Sequence, residues 1–193
     1  MSFITTNYKE NKHNNFEPLP TGTYELLINK VQEHATPSGA ESMQIDFIVR
    51  NDLDNVPELS ETNAKYHNRH VFMENWKRHA TNQYDTKGFQ YLLEAAQVPE
   101  GTSIDSIDDF MNILTGKPMR VYVKKDVDDY QTERQNKKVY RNDIAPYSVE
   151  KSKFPQVNHQ QKNNAVADAT VEDPFADKSN SNKVNISNDN LPF

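Results

Sequence analysis

Hydrophobic and polar residues alternate with a period of two over much of the first 150 residues. In GTYELLINKV the apolar residues Tyr24, Leu26 and Ile28 fall on one face, which predicts a first strand after the turn residues 20–22. The segment SMQIDFIVRND repeats the pattern and follows the turn TPSGA, so it predicts a second strand in a hairpin with the first. After a long acidic loop, residues 51–64, NRHVFMENWKR predicts a third strand.

The period then changes to three and four residues. The segments TKGFQYLLEAAQ and SIDDFMNILTG each carry an apolar stripe of this spacing, which predicts two short helices. Ser106 is the expected N-cap of the second helix, and Gly116 lies just beyond its end. Alternation returns in KPMRVYVKK, the predicted fourth strand, and after an exposed charged hairpin loop in KKVYRNDIAPY, the predicted fifth.

This order predicts a mainly β fold. Three strands, a two-helix insertion and two further strands match a five-stranded barrel of the oligonucleotide-binding type, called an OB-fold. An immunoglobulin-like sandwich is the competing all-β fold, but it needs about seven strands and has no place for two helices there. The predicted domains are a flexible N-terminus (1–15), an OB-fold-like nucleic-acid-binding domain (16–150) and a disordered tail (151–193) rich in Asn, Gln and Ser.

Composition narrows the class of protein. The chain has no cysteine, which excludes a disulfide framework and a thiolate metal site. No apolar run approaches the roughly 18 residues of a membrane span, and the first residues lack the pattern of a secretion signal. A soluble, cytoplasmic protein without a membrane partner is therefore expected. The formal net charge of −6 excludes a uniformly basic surface, but residues 117–141 hold eight Lys or Arg against four Asp or Glu. Local basic patches remain available for binding.

Basic and aromatic residues are interleaved on three predicted strands. A protein that holds single-stranded nucleic acid needs cations along the phosphate path and aromatic rings for the unpaired bases. The candidate nucleic-acid-binding residues are Arg69, Phe72, Trp76, Lys77, Arg78, Arg120, Tyr122, Lys124, Lys138, Tyr140 and Arg141. Any one aromatic could instead fill the core. Tyr122 is the strongest candidate, because its neighbours Val121 and Val123 already supply the buried face.

Other chemistry finds little support in the sequence. His67 and His70 would point to opposite faces of a strand, so with Glu74 and His79 they make a poor metal set. Asp126, Asp128 and Asp129 would suit nuclease metal ligands, but a solvated loop explains them better. The chain has no P-loop, no G-x-S-x-G elbow and too few glycines for a dinucleotide loop. The sequence therefore predicts neither an enzyme, a metal site nor a cofactor.

The chain ends in SNDNLPF, where apolar residues follow a polar tail. A Phe ring in a pocket of another protein, with nearby acids for steering, makes a compact anchor. This end resembles the C-terminal tip of bacterial single-stranded-DNA-binding proteins, with Asp189, Leu191, Pro192 and Phe193 at the corresponding places. It departs from that pattern in having one Asp where several are usual, which predicts weaker or more salt-sensitive docking. The sequence EDPF at 172–175 is a second docking motif or, as we favour, an ordinary part of the tail.

Over residues 16–148 the order of LPTGTYELLI, MQIDFIVRND, HVFMENW, GKPMRVYVKK and KKVYRNDIAPY resembles a phage-encoded single-stranded-DNA-binding family of Gram-positive phages. The resemblance implies a protein of the bacterial host cytoplasm that coats single strands during phage DNA replication and recombination. It also implies recruitment of a recombinase, helicase or primase. Barrels of this type occur as monomers and as oligomers, so a homo-oligomer is compatible with the sequence. The alternative is an adaptor that acts through its tail without nucleic acid.

Overall fold

The computed structural model describes residues 17–160 of the chain. Within that range the chain forms six strands, three α-helices and several short helical turns. The strands are β1 (Gly22–Ala35), β2 (Glu41–Val49), β3 (His70–Trp76), β4 (Pro118–Val127), β5 (Tyr140–Asp143) and β6 (Val149–Lys151), and the helices are α1 (Thr86–Ala95), α2 (Ile107–Leu114) and α3 (Asp129–Gln135). The predictions for residues 1–15 and for 161–193 lie outside the described residues.

The strands form one open antiparallel sheet in the order β3-β2-β1-β4-β5, with β6 also paired to β4. Strand β1 pairs with β4 through Gly22–Leu27 and with β2 through Leu26–Ala35. A break in register between Ile28 and Lys30 marks a β-bulge, which bends the strand between its two partners. Strands β3 and β5, the two ends of this order, have Cα atoms within 8 Å of each other, although no hydrogen-bonded ladder joins them in the described chain.

The alternation predicted for the strands is confirmed. Met43, Ile45, Phe47 and Val49 of β2 are all buried, and they pack with the inward residues of β1, β3 and β4 in one core. Strand β3 has the same regular pattern, with Val71, Met73 and Asn75 buried and the intervening residues exposed. Because one face of each strand supplies the core, the opposite face is free to present other side chains.

Both predicted helices are also confirmed. The Ser106 hydroxyl caps α2 by accepting a hydrogen bond from the Asp109 N–H at 3.0 Å. Gly116 lies just beyond the end of α2 with φ +80°, a conformation that favours glycine. Helices α1 and α2 meet through Phe89 and Phe110, whose ring centroids lie 4.5 Å apart. The helical insertion therefore joins the same core as the sheet.

The connection between β4 and β5 differs from the predicted hairpin loop because it contains α3. Asp128 caps this helix by accepting from the Gln131 N–H at 2.9 Å, and Asn136 ends it in the left-handed conformation. Thr132 also exchanges hydrogen bonds with the backbone of Val139. No residue of α3 is buried, so the helix stands out from the sheet as a hydrogen-bonded arm.

The ordered chain extends past the boundary expected at residue 150. Residues 152–160, which we call the strap, bind the end of β2. The Arg50 guanidinium is fully buried, forms a bidentate pair with Asp52 and donates to the carbonyls of Phe154 and Gln156 at 2.6 and 2.5 Å. The composition of this segment indicates disorder, but its backbone supplies the acceptors that a buried guanidinium requires.

Among residues 17–160, no helix has the length and apolar character needed to cross a membrane.

Candidate nucleic-acid interface

Tyr122 lies at the centre of the best candidate surface. Its side chain is 47 % exposed, whereas Val121 and Val123 on either side are fully buried. Arg120 and Lys124 share its face of β4, since residues two apart in a strand point the same way. The structure therefore gives Tyr122 the outward position between cations that the sequence predicts.

Strand β5 divides the remaining candidates between two faces. In the register of the two strands Arg141 lies opposite Asp126, so its side chain is on the same face as that of Tyr122. Tyr140 pairs with Val127 and lies on the opposite face, where the Lys125 ammonium sits 4.9 Å from the ring centroid and that of Lys138 5.9 Å. The β4–β5 ribbon thus carries an aromatic ring with cations on each of its faces.

The cations of this ribbon differ in whether a carboxylate of the protein already forms an ion pair with them. Lys124 forms an ion pair with Asp126 at 2.7 Å, and the hydrogen bond that its ammonium donates to this carboxylate raises the pKa of Lys124. Within the described residues, Arg120, Lys138 and Arg141 have no carboxylate within ion-pair distance. Arg120 lies opposite Glu25 and Arg141 opposite Asp126, and Lys138 lies over the Tyr140 ring, so these three side chains have protein neighbours but no direct ion pair to break before they bind phosphate.

Phe72 and Trp76 form a second exposed pair on β3. They are 50 % and 40 % exposed and lie four residues apart on the outward face, roughly 13 Å along the strand. Along the sheet order, β2 and β1 separate them from Tyr122. Two acidic side chains lie beside the pair, since Asp46 is opposite Phe72 on β2 and Glu74 lies between Phe72 and Trp76 on β3. Asp46 contacts His70 at 2.8 Å, and Glu74 accepts from Gln44 at 3.1 Å.

The cations predicted beside Trp76 are held by acids. Lys77 contacts Glu41 and lies 3.7 Å from Glu33, and the hydrogen bond to Glu41 raises the pKa of its ammonium. Arg78 forms an ion pair with Asp85 at 3.2 Å. Sequence alone cannot distinguish these engaged cations from available ones, because Glu33 and Glu41 belong to β1 and β2 and reach Lys77 only through the folded sheet.

Arg69 lies just before β3. Because β3 is not a neighbour of β4 in the sheet order, this position does not place Arg69 on the β4 surface. Its guanidinium donates to the Glu17 carbonyl, and its backbone carbonyl accepts from the Val49 N–H at 2.8 Å. Arg69 therefore contributes to holding the start of the described chain against the end of the β2–β3 pair.

Two further residues near the β4–β5 ribbon were not among the candidates. Lys125 contacts the Tyr140 ring, and its position beside Lys124 in KK was the available sequence signal. Tyr147 is highly exposed and precedes Ser148, whose hydroxyl donates to the Tyr122 carbonyl at 3.1 Å. The proximity of Tyr147 to β4 depends on the turn Pro146–Ser148, which has no regular spacing to reveal it.

The residues considered for metal chemistry do not converge. His67 contacts Asp54, whereas His70 contacts Asp46, each at 2.8 Å. Asp126 is engaged with Lys124 and Asp128 caps α3. Within residues 17–160, no three His, Cys, Asp or Glu side chains are grouped so as to hold a metal ion.

The predicted partner-binding residues Asp189, Leu191, Pro192 and Phe193 lie outside the described residues, as does the EDPF sequence.

Comparison with known proteins identifies a family but no activity. No curated protein matches the chain. A family model described as "Protein of unknown function (DUF669)" matches residues 6–171, which include the whole described sheet, the helical insertion and the strap. The chain belongs to the DUF669 family.

Proposed function

We propose that this protein binds single-stranded DNA with little sequence specificity and has no catalytic activity of its own. The observation that supports this proposal most directly is the position of Tyr122, which is about half exposed between buried valines and is flanked by Arg120 and Lys124. An aromatic ring in this position offers a stacking surface for any base, and arginines on the same face offer partners for the phosphates. Readout of sequence by this arrangement is not expected, because stacking does not distinguish bases strongly.

The binding path runs along the β4–β5 ribbon. Arg120, Tyr122 and Arg141 share one face, with Tyr122 and the position opposite Arg141 about 13 Å apart along β4. Tyr140 with Lys125 and Lys138 lies on the opposite face of the ribbon and offers a separate stacking position there, where Lys125 also forms an ion pair with Glu17 at 3.5 Å. Phe72 and Trp76 form a secondary stacking position, since the neighbouring Lys77 and Arg78 are neutralised by acids.

We also propose that the sheet closes into a five-stranded barrel of the OB type. The approach of β3 to β5 and the bulge in β1 support closure, because a barrel requires both a bent first strand and contact between the ends of the sheet. Closure would bring the β3 aromatics next to the ribbon around the outside of the barrel.

The biological setting proposed is coating of single strands during phage DNA replication or recombination in the bacterial cytoplasm. The tip residues Asp189 and Leu191–Phe193 would recruit a recombinase, helicase or primase, with the tail as a tether. This part rests on the sequence resemblance.

An adaptor without nucleic acid is the second candidate. It is favoured by the ion pairs of Lys77, Arg78 and Lys124, which reduce the free positive charge of the surface. The DNA-binding candidate predicts that the chain binds labelled oligo-dT, and the adaptor candidate predicts that it does not.

Fluorescence anisotropy of labelled oligo-dT with the Tyr122→Ala variant tests the proposal. Removing one stacking ring should weaken binding by about 1 to 3 kcal/mol, which is roughly 5- to 150-fold. Tyr91→Ala is the matched control, because Tyr91 is 43 % exposed but lies on α1, away from the ribbon. Equal affinity of the native chain and the Tyr122→Ala variant would refute the ribbon as the stacking site.

A further inference from the structure

A wide groove lies on the helical insertion, between α1, α2 and the segment that joins them. Its volume is about 1060 Å³. Phe89 and Leu93 of α1 line it one turn apart, and Ile107 and Phe110 of α2 line it three residues apart. Phe89 and Leu93 are only partly buried, and Ile107 is 42 % exposed. The two helices therefore present apolar ridges at helical spacing, against which a third helix can pack.

The rim of the groove is acidic. Glu94, Glu100 and Asp105 line it and are exposed. Within residues 17–160, no Lys or Arg lies within ion-pair distance of their carboxylates. Asp105 accepts a hydrogen bond from the Ser103 hydroxyl at 2.8 Å, which leaves its negative charge in place. This rim repels phosphate and other acidic groups, and it attracts a cationic partner.

One end of the groove shows which group this combination of acidic and aromatic side chains holds. The Lys77 ammonium lines that end, contacts Glu41 and lies 3.7 Å from Glu33. It also sits 5.0 Å from the centroid of the Tyr84 ring. Carboxylates and an aromatic face both stabilise a cation in such a position. Phe89 continues the aromatic floor, with its ring centroid 5.5 Å from that of Tyr84, so the rest of the groove has the same chemistry.

We propose that the groove binds a basic amphipathic helix of a partner protein. The apolar side chains of that helix pack between α1 and α2, and its Lys or Arg side chains lie against Glu94, Glu100 and Asp105. The volume accommodates about two turns of a helix, whose diameter with side chains is roughly 10 Å. None of the lining residues belongs to β4 or β5. One copy can therefore hold a DNA strand on the ribbon and a basic partner in the groove at the same time.

The chain's own acidic segments lack the chemistry of this occupant. Helix α3 holds Asp129 and Glu133 against Arg134. Residues 161–193 hold five Asp or Glu against three Lys. Residues 1–16 hold two Lys against one Glu, so a chain that lacks them is one arm of the test. The occupant is therefore assigned to a different protein.

Fluorescence anisotropy with labelled designed peptides tests the contact, at low and at moderate salt. The first peptide has Leu at i, i+3, i+4 and i+7 and Lys at the positions between them, and two others replace either its Lys by Glu or its Leu by Ser. The Leu/Lys peptide should bind the full chain, more tightly at low salt, because the contact is charge-assisted. The Leu/Glu and Ser/Lys peptides should each bind at least about tenfold more weakly, because one lacks the positive charge and the other the apolar side chains.

Two variants locate the binding in the groove. Glu100→Lys/Asp105→Lys should weaken binding of the Leu/Lys peptide at least about tenfold, because the charge of the rim is reversed. Ile107→Ser should weaken it several-fold, because an exposed apolar contact is removed. Glu58→Lys/Glu133→Lys is the matched control, since it changes the net charge equally at exposed residues that do not line the groove. Its affinity should stay within about twofold of the native value, and circular dichroism checks that each variant is folded.

Three results would overturn the inference. They are a native chain that does not bind the Leu/Lys peptide, equal binding of the three peptides, and equal affinity of the groove variant and its matched control. A chain that lacks residues 1–16 should bind with native affinity, whereas binding at least about tenfold tighter would assign the groove to that segment instead. These results are separable from the proposed function, because no DNA is present and Tyr122 is unchanged in every variant.

Discussion

Glu25 and Asp52 are two carboxylates held by the same strap, yet their pKa values move in opposite directions. Burial raises the pKa of Glu25, and the hydrogen bonds from the Ser152 hydroxyl and the Lys153 N–H offset this only in part. Burial also acts to raise the pKa of Asp52, but the hydrogen bonds from Arg50 and the Asn158 N–H outweigh it, so that pKa is lowered. The difference arises because Asp52 has a guanidinium partner.

These directions give a pH prediction for Glu25. A carboxyl with a raised pKa binds more protons in the folded state, so its contribution to the free energy of unfolding falls as pH rises from about 4 to the raised value. Replacing Glu25 by Gln removes this dependence. The stability of Glu25→Gln relative to the native chain should therefore increase over that pH range, as measured by urea unfolding at a series of pH values. A relative stability that decreases with pH would contradict the burial of an ionisable Glu25.

Asp52 should act in the opposite sense. Its lowered pKa contributes stability that is present above the unfolded value near 4 and is lost as pH falls through the folded value. The native and the Glu25→Gln chains both retain Asp52, so below about pH 4 their free energies of unfolding should fall with a similar slope, and the two chains should differ only over the range in which Glu25 titrates.

At the scale of elements, the strap is a structural part of the domain. A chain that ends after residue 151 loses the acceptors of the Arg50 guanidinium and the donors to Glu25. We expect a loss of about 3 kcal/mol in the free energy of unfolding, since each unsatisfied buried polar group costs roughly 1 to 3 kcal/mol. Urea unfolding measures this loss of stability. A chain that ends after residue 161 is the control, because it keeps the strap. Equal stability of the two truncations would show that the strap contributes nothing.

The elements that sequence predicts best are those with a local signal. Alternation located β1 to β4, and the cap at Ser106 with Gly116 located α2. Helix α3 was missed because it buries no residue and so has no apolar stripe. The strap was missed because its order depends on Arg50, about 100 residues away in the chain. Partners at that distance leave no periodic signal.

The candidate surface was predictable to a similar extent. The outward direction of Tyr122 follows from its buried neighbours, so the sequence located it. Tyr140 and Arg141 lie on opposite faces because of their register with β4. Lys77 is engaged by Glu41 because the pairing of β2 with β3 places these two residues side by side. Strand register and cross-strand ion pairs are tertiary properties that single-strand patterns do not contain.

At the scale of the whole molecule, we propose that the β4–β5 ribbon binds the single strand and that the C-terminal tip recruits the partner enzyme. Deleting residues 191–193 should leave the affinity for oligo-dT within about twofold, because the ribbon is unaffected, while pull-down of replication or recombination enzymes is lost. Pull-down with the native chain, the truncated chain and a Tyr122→Ala chain distinguishes the two parts. Equal capture of enzymes by the truncated chain would contradict the role of the tip.

The central claim is single-strand binding, and the fluorescence of Trp76, the one tryptophan of the chain, tests it most directly. The full chain is titrated with oligo-dT and with a duplex of equal length, at low and at moderate salt. The account predicts saturable quenching by the single strand that weakens as salt is raised, with a weaker response to duplex. A folded chain that binds neither, with unchanged Trp76 fluorescence and no anisotropy change of labelled oligo-dT, would contradict it.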